Sequence, residues 1–260
     1  MPLTASVKDY MSSLLHTAPA GVMLDHVMNV MTRLHVRHVP LVENGRIVAV
    51  ATPEDVLHQL LDQGGPAHVE LRVAERPIPV VEPLASVAEA ARAMFNAGVD
   101  FAIVGSLEAP RGIVSSRDVV RAARSEFRDL SVSEHMDDPP PSTALDASIV
   151  DAARAIASAT IDHGFPARHV VVGEDGLPIG VVSVRDIIYY ATAKGSIEGR
   201  VTDIMSPHLY YLDPSSSIAE AVEEMAERDV SFLPVVYKAR VLGGVYEYTI
   251  VKVAARVGPR

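Results

Sequence analysis

Gly112-Ile113-Val114-Ser115-Ser116-Arg117-Asp118 decides the fold, because its pattern of an apolar strand, then Ser or Thr, two residues and Asp returns about every 65 residues. The other copies align as Ala49-Val50-Ala51-Thr52-Pro53-Glu54-Asp55, Gly180-Val181-Val182-Ser183-Val184-Arg185-Asp186 and Gly244-Val245-Tyr246-Glu247-Tyr248-Thr249-Ile250. Three copies keep both polar positions; in this alignment the fourth keeps neither. Upstream of each motif a helix is predicted from Leu24, Val87, Ile149 and Ile218, with Met31, Met94, Ile156 and Met225 seven places on, two turns along one face. A short apolar strand follows each helix: Val39-Pro40-Leu41-Val42, Phe101-Ala102-Ile103-Val104, Val170-Val171-Val172 and Leu233-Pro234-Val235-Val236. Every unit therefore reads strand, helix, strand, turn, strand, helix. Three units also begin with Val-x-x-x-Met, at Val7 to Met11, Val132 to Met136 and Val201 to Met205, whereas the second begins with the apolar stretch near Leu71 and Val73.

Such a unit, in four copies in register, resembles the cystathionine beta-synthase (CBS) domain, and the resemblance covers nearly all 260 residues. It implies an α+β fold of four CBS repeats, at residues 1–65, 66–130, 131–196 and 197–260. These would form two pseudo-two-fold Bateman modules, 1–130 and 131–260. Gln63-Gly64-Gly65-Pro66 and Lys194-Gly195-Ser196 mark linkers. The third unit is longer, and its extra Asp162-His163-Gly164-Phe165-Pro166-Ala167 reads as a loop insertion.

Composition narrows the function. The net charge is -10, with 12 basic against 15 acidic side chains in residues 1–130 and 11 against 18 in 131–260. That balance argues against nucleic-acid binding, which depends on Lys and Arg neutralising phosphates. No apolar run approaches a membrane span, so a cytoplasmic location without membrane contact is expected. Cysteine is absent, which excludes disulfides and thiol catalysis. Scarce Asn and Gln fit a thermophilic source.

The motif has its own chemistry. A strand ending in Ser or Thr and opening a helix presents a hydroxyl and backbone N–H groups where phosphate binds readily. The Asp nearby suits a sugar diol. The alternative is helix capping, Ser or Thr with an acid in the first turn. Both roles can coexist at one turn.

CBS modules bind adenine-containing ligands in clefts between paired repeats, so the resemblance implies AMP, ADP, ATP or S-adenosylmethionine as ligand and no catalytic cofactor. The first expected cleft joins Ser115, Arg117 and Asp118 to Thr17, Pro19, Val22, Arg37, His38, Val39 and Pro40, with Asp118 on ribose and Arg37, His38 and Arg117 on phosphates. The second joins Ser183, Arg185 and Asp186 to Tyr210, Leu212, Phe232, Leu233 and Pro234. A weaker one joins Thr52 and Asp55 to Glu82, Asp100 and Phe101, where Asp100 is aligned with His38. In the last, Arg168 and His169 face Glu247 and Ile250, which suit neither phosphate nor ribose.

Arg117, Arg121, Arg124 and Arg128 fall at helical spacing and read as a solvated, ion-paired face. The histidines, including His163 with His169, show no metal-ligand layout. Without a catalytic motif or room for a catalytic domain, the chain is expected to be no enzyme but a regulatory nucleotide sensor acting on an unidentified partner protein or its own oligomer, with the four repeats completing a disk within one chain or, the favoured arrangement, stacking as a homodimer. The rival is a ligand-free scaffold for dimerisation or protein interaction.

Overall fold

Each helix begins where the periodic apolar run begins, and serine explains three of the four starts. Ser86, Ser148 and Ser217 cap α3 (Val87–Ala97), α6 (Ile149–Ala157) and α8 (Ile218–Arg228), with Glu89, Asp151 and Glu220 closing reciprocal capping boxes. The matching α1 (Leu24–Leu34) starts after Met23 without a side-chain cap. The computed structural model describes residues 2–124, 126–161 and 164–257.

In chain order the first repeat contributes β1 (Ala18–Pro19), α1, β2 (Val39–Glu43), β3 (Arg46–Ala51) and α2 (Pro53–Gln63). The second contributes β4 (Val80–Val81), α3, β5 (Phe101–Gly105), β6 (Pro110–Ser115) and α4 (Ser116–Ala122). After a short α5 (Val132–His135), the third adds β7 (Ser142–Ala144), α6, β8 (Thr160–Ile161), β9 (Phe165–Pro166), β10 (His169–Glu174), β11 (Leu177–Ser183) and α7 (Val184–Lys194). The fourth adds β12 (Phe232–Tyr237), β13 (Arg240–Tyr246) and α9 (Glu247–Val257), with Leu212 bridging to Val235 as its first strand. In each repeat the first strand runs parallel to the second and the second pairs antiparallel with the third, broken by an irregularity one or two residues before the hairpin turn.

The sequence expectation of a plain loop at 162–167 is modified. Thr160 pairs with Pro166 and Ile161 with Phe165, so a small hairpin is formed, while Asp162 and His163 lie outside the described residues. The arginine series is also modified, because α4 ends at Ala122 and leaves Arg124 and Arg128 beyond the helix. No helix among the described residues is long and apolar enough to cross a membrane.

The chain divides into two compact units that take alternate repeats rather than consecutive halves. The odd unit holds the first and third repeats (His16–Glu75, Pro140–Leu209), and the even unit the second and fourth (Met1–Leu15, Arg76–Pro139, Tyr210–Arg260). In the odd unit, α1 and α2 pack on α6 and α7, and one continuous core runs from Leu24, Met28, Met31 and Leu57 to Ile149, Ile156 and Ile187. Fully burying each of these side chains contributes about 1.5 to 3 kcal/mol. In the even unit α9 packs on α3 and α4.

The Val-x-x-x-Met segments do not rest on their own repeats. Val7 donates its N–H to Ala85 O, and Ser12 bridges to Ile113, so the first segment docks on the second repeat. Residues 132–137 dock on the fourth repeat, through Val132 to Ser216 O and Asp137 to Gly244, and residues 201–206 dock on the third. Consecutive repeats thus exchange their leading segments. The valines are fully buried and each methionine lies against a glycine: Met11 at Gly112, Met136 at Gly243, Met205 at Gly180. A Cβ at Gly112 would stand 2.6 Å from Ser12 O and 2.9 Å from Met11 Sδ, so only glycine admits the segment.

Candidate functional site

The strand register aligns the four motifs by geometry. Phe101 is opposite Ser115, His169 opposite Ser183 and Phe232 opposite Tyr246, while Val39 opposite Ala51 puts His38 across from Thr52. Two assignments made from sequence are corrected. Phe101, not Asp100, occupies the place of His38; Asp100 matches Arg37, Arg168 and Ser231. The fourth motif is also shifted by one residue, since Gly243 meets the methionine and Tyr246 and Thr249 stand where Ser183 and Asp186 do. The doublet Gly243-Gly244 made the sequence ambiguous at that point.

All three Ser/Thr-x-x-Asp turns are capping boxes. Oδ2 of Asp118 accepts the Ser115 N–H at 2.9 Å and its hydroxyl at 3.0 Å; Asp186 does the same with Ser183 at 2.8 and 2.6 Å, and Asp55 with Thr52 at 2.9 and 3.0 Å. The fourth repeat mimics the first bond, with the Tyr246 N–H donating to Thr249 Oγ1 at 2.8 Å.

What differs is the other side of each turn. Oδ1 of Asp55 accepts the Ala74 N–H at 3.0 Å, because the segment leading into the second repeat runs along α2, held also by Gln59 to Glu70 O and Arg72 N. In the fourth repeat Thr249 and Lys252 both donate to Asp137, from the docked segment, and all three side chains are buried. Oδ1 of Asp118 faces Arg121 at 3.6 Å. Oδ1 of Asp186 takes no hydrogen bond among the described residues. The first and fourth turns are therefore closed by the protein's own leading segments.

The charged groups beside the motifs differ between the two units. In the odd unit the buried His169 is held neutral, its pKa pulled from 6.5 down to about 3 by burial first and then by Arg168, Arg185 and Arg37. Arg168 pairs with the buried Glu54 of the first repeat and lies 5.1 Å from the Phe165 ring centroid. In the even unit Ser116 Oγ is 2.9 Å from Glu247 and 3.5 Å from Asp100, both buried. Tyr248 there is pushed up to about 12 by burial and then by Asp100 and Asp137. Arg117, expected on phosphate, pairs with Asp229 at 3.2 Å and Glu247 at 3.5 Å. Beside it a groove of about 330 Å³ is lined by Arg117, Arg121, Arg124, Val120, Met225 and Asp229, among others.

Of the expected ligand residues, Thr17, Pro19, Val22, Arg37, His38, Val39, Pro40, Thr52, Asp55, Ser183, Arg185 and Asp186 belong to the odd unit. Ser115, Arg117, Asp118, Tyr210, Leu212, Phe232, Leu233 and Pro234 belong to the even unit. Glu54, Asp137 and Lys252 were missed. Glu54 was detectable, since it reverses the charge of Arg117 and Arg185 at the same motif position; the Asp137 pairing, 115 residues from Lys252, was not. No group of three or more His, Cys, Asp or Glu side chains suited to a metal ion occurs among the described residues.

The CBS domain family model matches residues 7–62, 69–125, 132–192 and 201–256. Protein MJ1225 from Methanocaldococcus jannaschii, likened to g-AMPK, has a similar structure with a TM-score of 0.73 and 17% identity, covering 95% of this chain and 99% of that one. A conserved protein from Pyrococcus horikoshii gives a TM-score of 0.65 at 19% identity, over 96% and 99% of the two chains. A 17.7 kDa protein of Acidianus ambivalens is 29% identical over 119 residues, 45% of this chain and 68% of that protein.

Proposed function

The chain belongs to the CBS domain family, and from that premise we propose that it is a non-catalytic regulatory module binding an adenine nucleotide, or a related adenosyl ligand, at two of its four motifs. The observation that carries this reading is the contrast between the turns. Asp186 holds its cap through Oδ2 while its Oδ1 takes no hydrogen bond among the described residues, whereas Asp55 and Thr249 are engaged by leading segments. A carboxylate pre-set in this way can accept a ribose diol without reorganising, a charge-assisted contact contributing about 1.5 to 3 kcal/mol. At the Asp186 turn the phosphates fall to Arg37, Arg168 and Arg185, the arginines of the same unit that act on His169.

Regulation then follows from linkage. A ligand shifts a conformational equilibrium only through unequal affinity for its states. Exchanged leading segments give one physical route, since residues 7–12 dock on the second repeat and 132–137 on the fourth. Occupancy would be passed on to a partner protein or a second copy of the chain.

The test is thermal unfolding of the full chain with AMP, ADP, ATP and S-adenosylmethionine in turn, because a ligand that binds only the native state raises its stability. A rise with one ligand that is lost in Asp118→Ala or Asp186→Ala supports the reading. No response to any of the four supports a ligand-free scaffold, which the closed first and fourth turns favour.

A further inference from the structure

Glu54 is the second residue of α2, at the position where the other motifs carry Arg117, Arg185 and Tyr248. It is 8% exposed, and its carboxylate accepts from Arg168 Nε, one partner from each repeat of the odd unit. Arg168 is also one of three arginines, with Arg185 and Arg37, that act on His169, so Glu54 holds one cation of that group. A carboxylate paired with a guanidinium behaves as an anion already bound. It offsets one charge and takes the edge of Arg168 that a phosphate oxygen would take.

We propose that Glu54 sets how much phosphate charge the odd unit accepts, competing for Arg168 so that a nucleoside monophosphate is preferred to a triphosphate. This rests on the nucleotide-binding reading above. The Coulomb cost of a retained carboxylate scales with the charge of the ligand, and a triphosphate carries about twice the charge of a monophosphate. Displacing Glu54 is no escape, because a buried carboxylate parted from its cation is left uncompensated.

The experiment is calorimetric titration with AMP and with ATP, free of divalent metal and at fixed ionic strength. The proteins are the wild type, Glu54→Gln, and the double variant Glu54→Gln/Arg168→Gln. In Glu54→Gln, ATP gains on AMP by about tenfold. The double variant loses one charge of each sign and returns the ratio of the two affinities to near the wild-type value. Should Glu54→Gln fail to fold, Glu54→Asp draws the charge back by one methylene and shifts the ratio the same way. An unchanged ratio in a folded variant overturns the role of Glu54 while leaving nucleotide binding intact. If neither nucleotide binds the wild type, the functional reading falls and this inference with it.

Discussion

The Ala74 amide donates to Asp55 Oδ1 at 3.0 Å, so this one carboxylate serves both the Thr52 cap and the segment leading into the second repeat. Asp55→Asn would weaken both contacts. Removing a buried charge-assisted acceptor costs about 1 to 3 kcal/mol. The expected outcome is a clear fall in stability in a denaturant titration, with nucleotide affinity unchanged within about twofold.

Asp118→Ala and Asp186→Ala separate the same two roles in the opposite sense. Each loses a cap, which costs about 1 kcal/mol of stability. Each also loses its diol acceptor, so ribonucleotide affinity should fall about tenfold to a hundredfold. Direct titration with the nucleotide that stabilises the wild type checks this; retained affinity in both variants would remove ribose recognition from these turns.

The glycines beneath the methionines predict a stability pattern specific to the exchanged segments. A Cβ at Gly180 would stand 2.6 Å from Ser206 O, and one at Gly243 2.6 Å from Asp137 O. Overpacking of this kind costs about 1 to 3 kcal/mol, so Gly112→Ala, Gly180→Ala and Gly243→Ala should each lower Tm. The first repeat carries Ala49 at this place, and its docked segment has no methionine. Ala49→Gly should therefore show no gain in Tm.

That pattern also marks how far the sequence could be read. Helix starts at Leu24, Val87, Ile149 and Ile218 were legible because apolar spacing is a local signal. The destination of Val7 to Met11 was not, since a segment that docks on the next repeat bears the same residues as one that docks on its own. Alternate repeats sharing a core was equally hidden: α1 meets α7 across some 160 positions, as Thr32 and Thr192 do at 3.3 Å. The slip in the fourth motif arose where Asp was replaced by Thr249 and the acid came instead from Asp137.

Lys252 and Asp137 form an ion pair in which both side chains are nearly fully buried. Breaking one partner leaves an uncompensated charge and costs about 3 to 5 kcal/mol. Lys252→Met should destabilise by that order, while Lys252→Met with Asp137→Leu recovers much of the loss. The non-additivity, read from denaturant midpoints, checks whether the pair acts as a unit.

His169 gives the protein an acid limit with a defined sign. Its folded pKa of about 3 lies below the ordinary histidine value of 6.5, because burial and the arginines disfavour the imidazolium. Between those two pH values the unfolded chain binds a proton that the folded chain refuses. Stability therefore falls as pH drops through this window, by about 1.4 kcal/mol per pH unit from this group at its steepest. Phe101 and Phe232 fill the equivalent place in the even unit, so His169→Phe is the appropriate control. The variant should lose close to one proton of slope between pH 6 and pH 4 when stability is measured by urea titration (about one proton per titrating group). An identical slope in the two proteins would mean that His169 is protonated in the folded state.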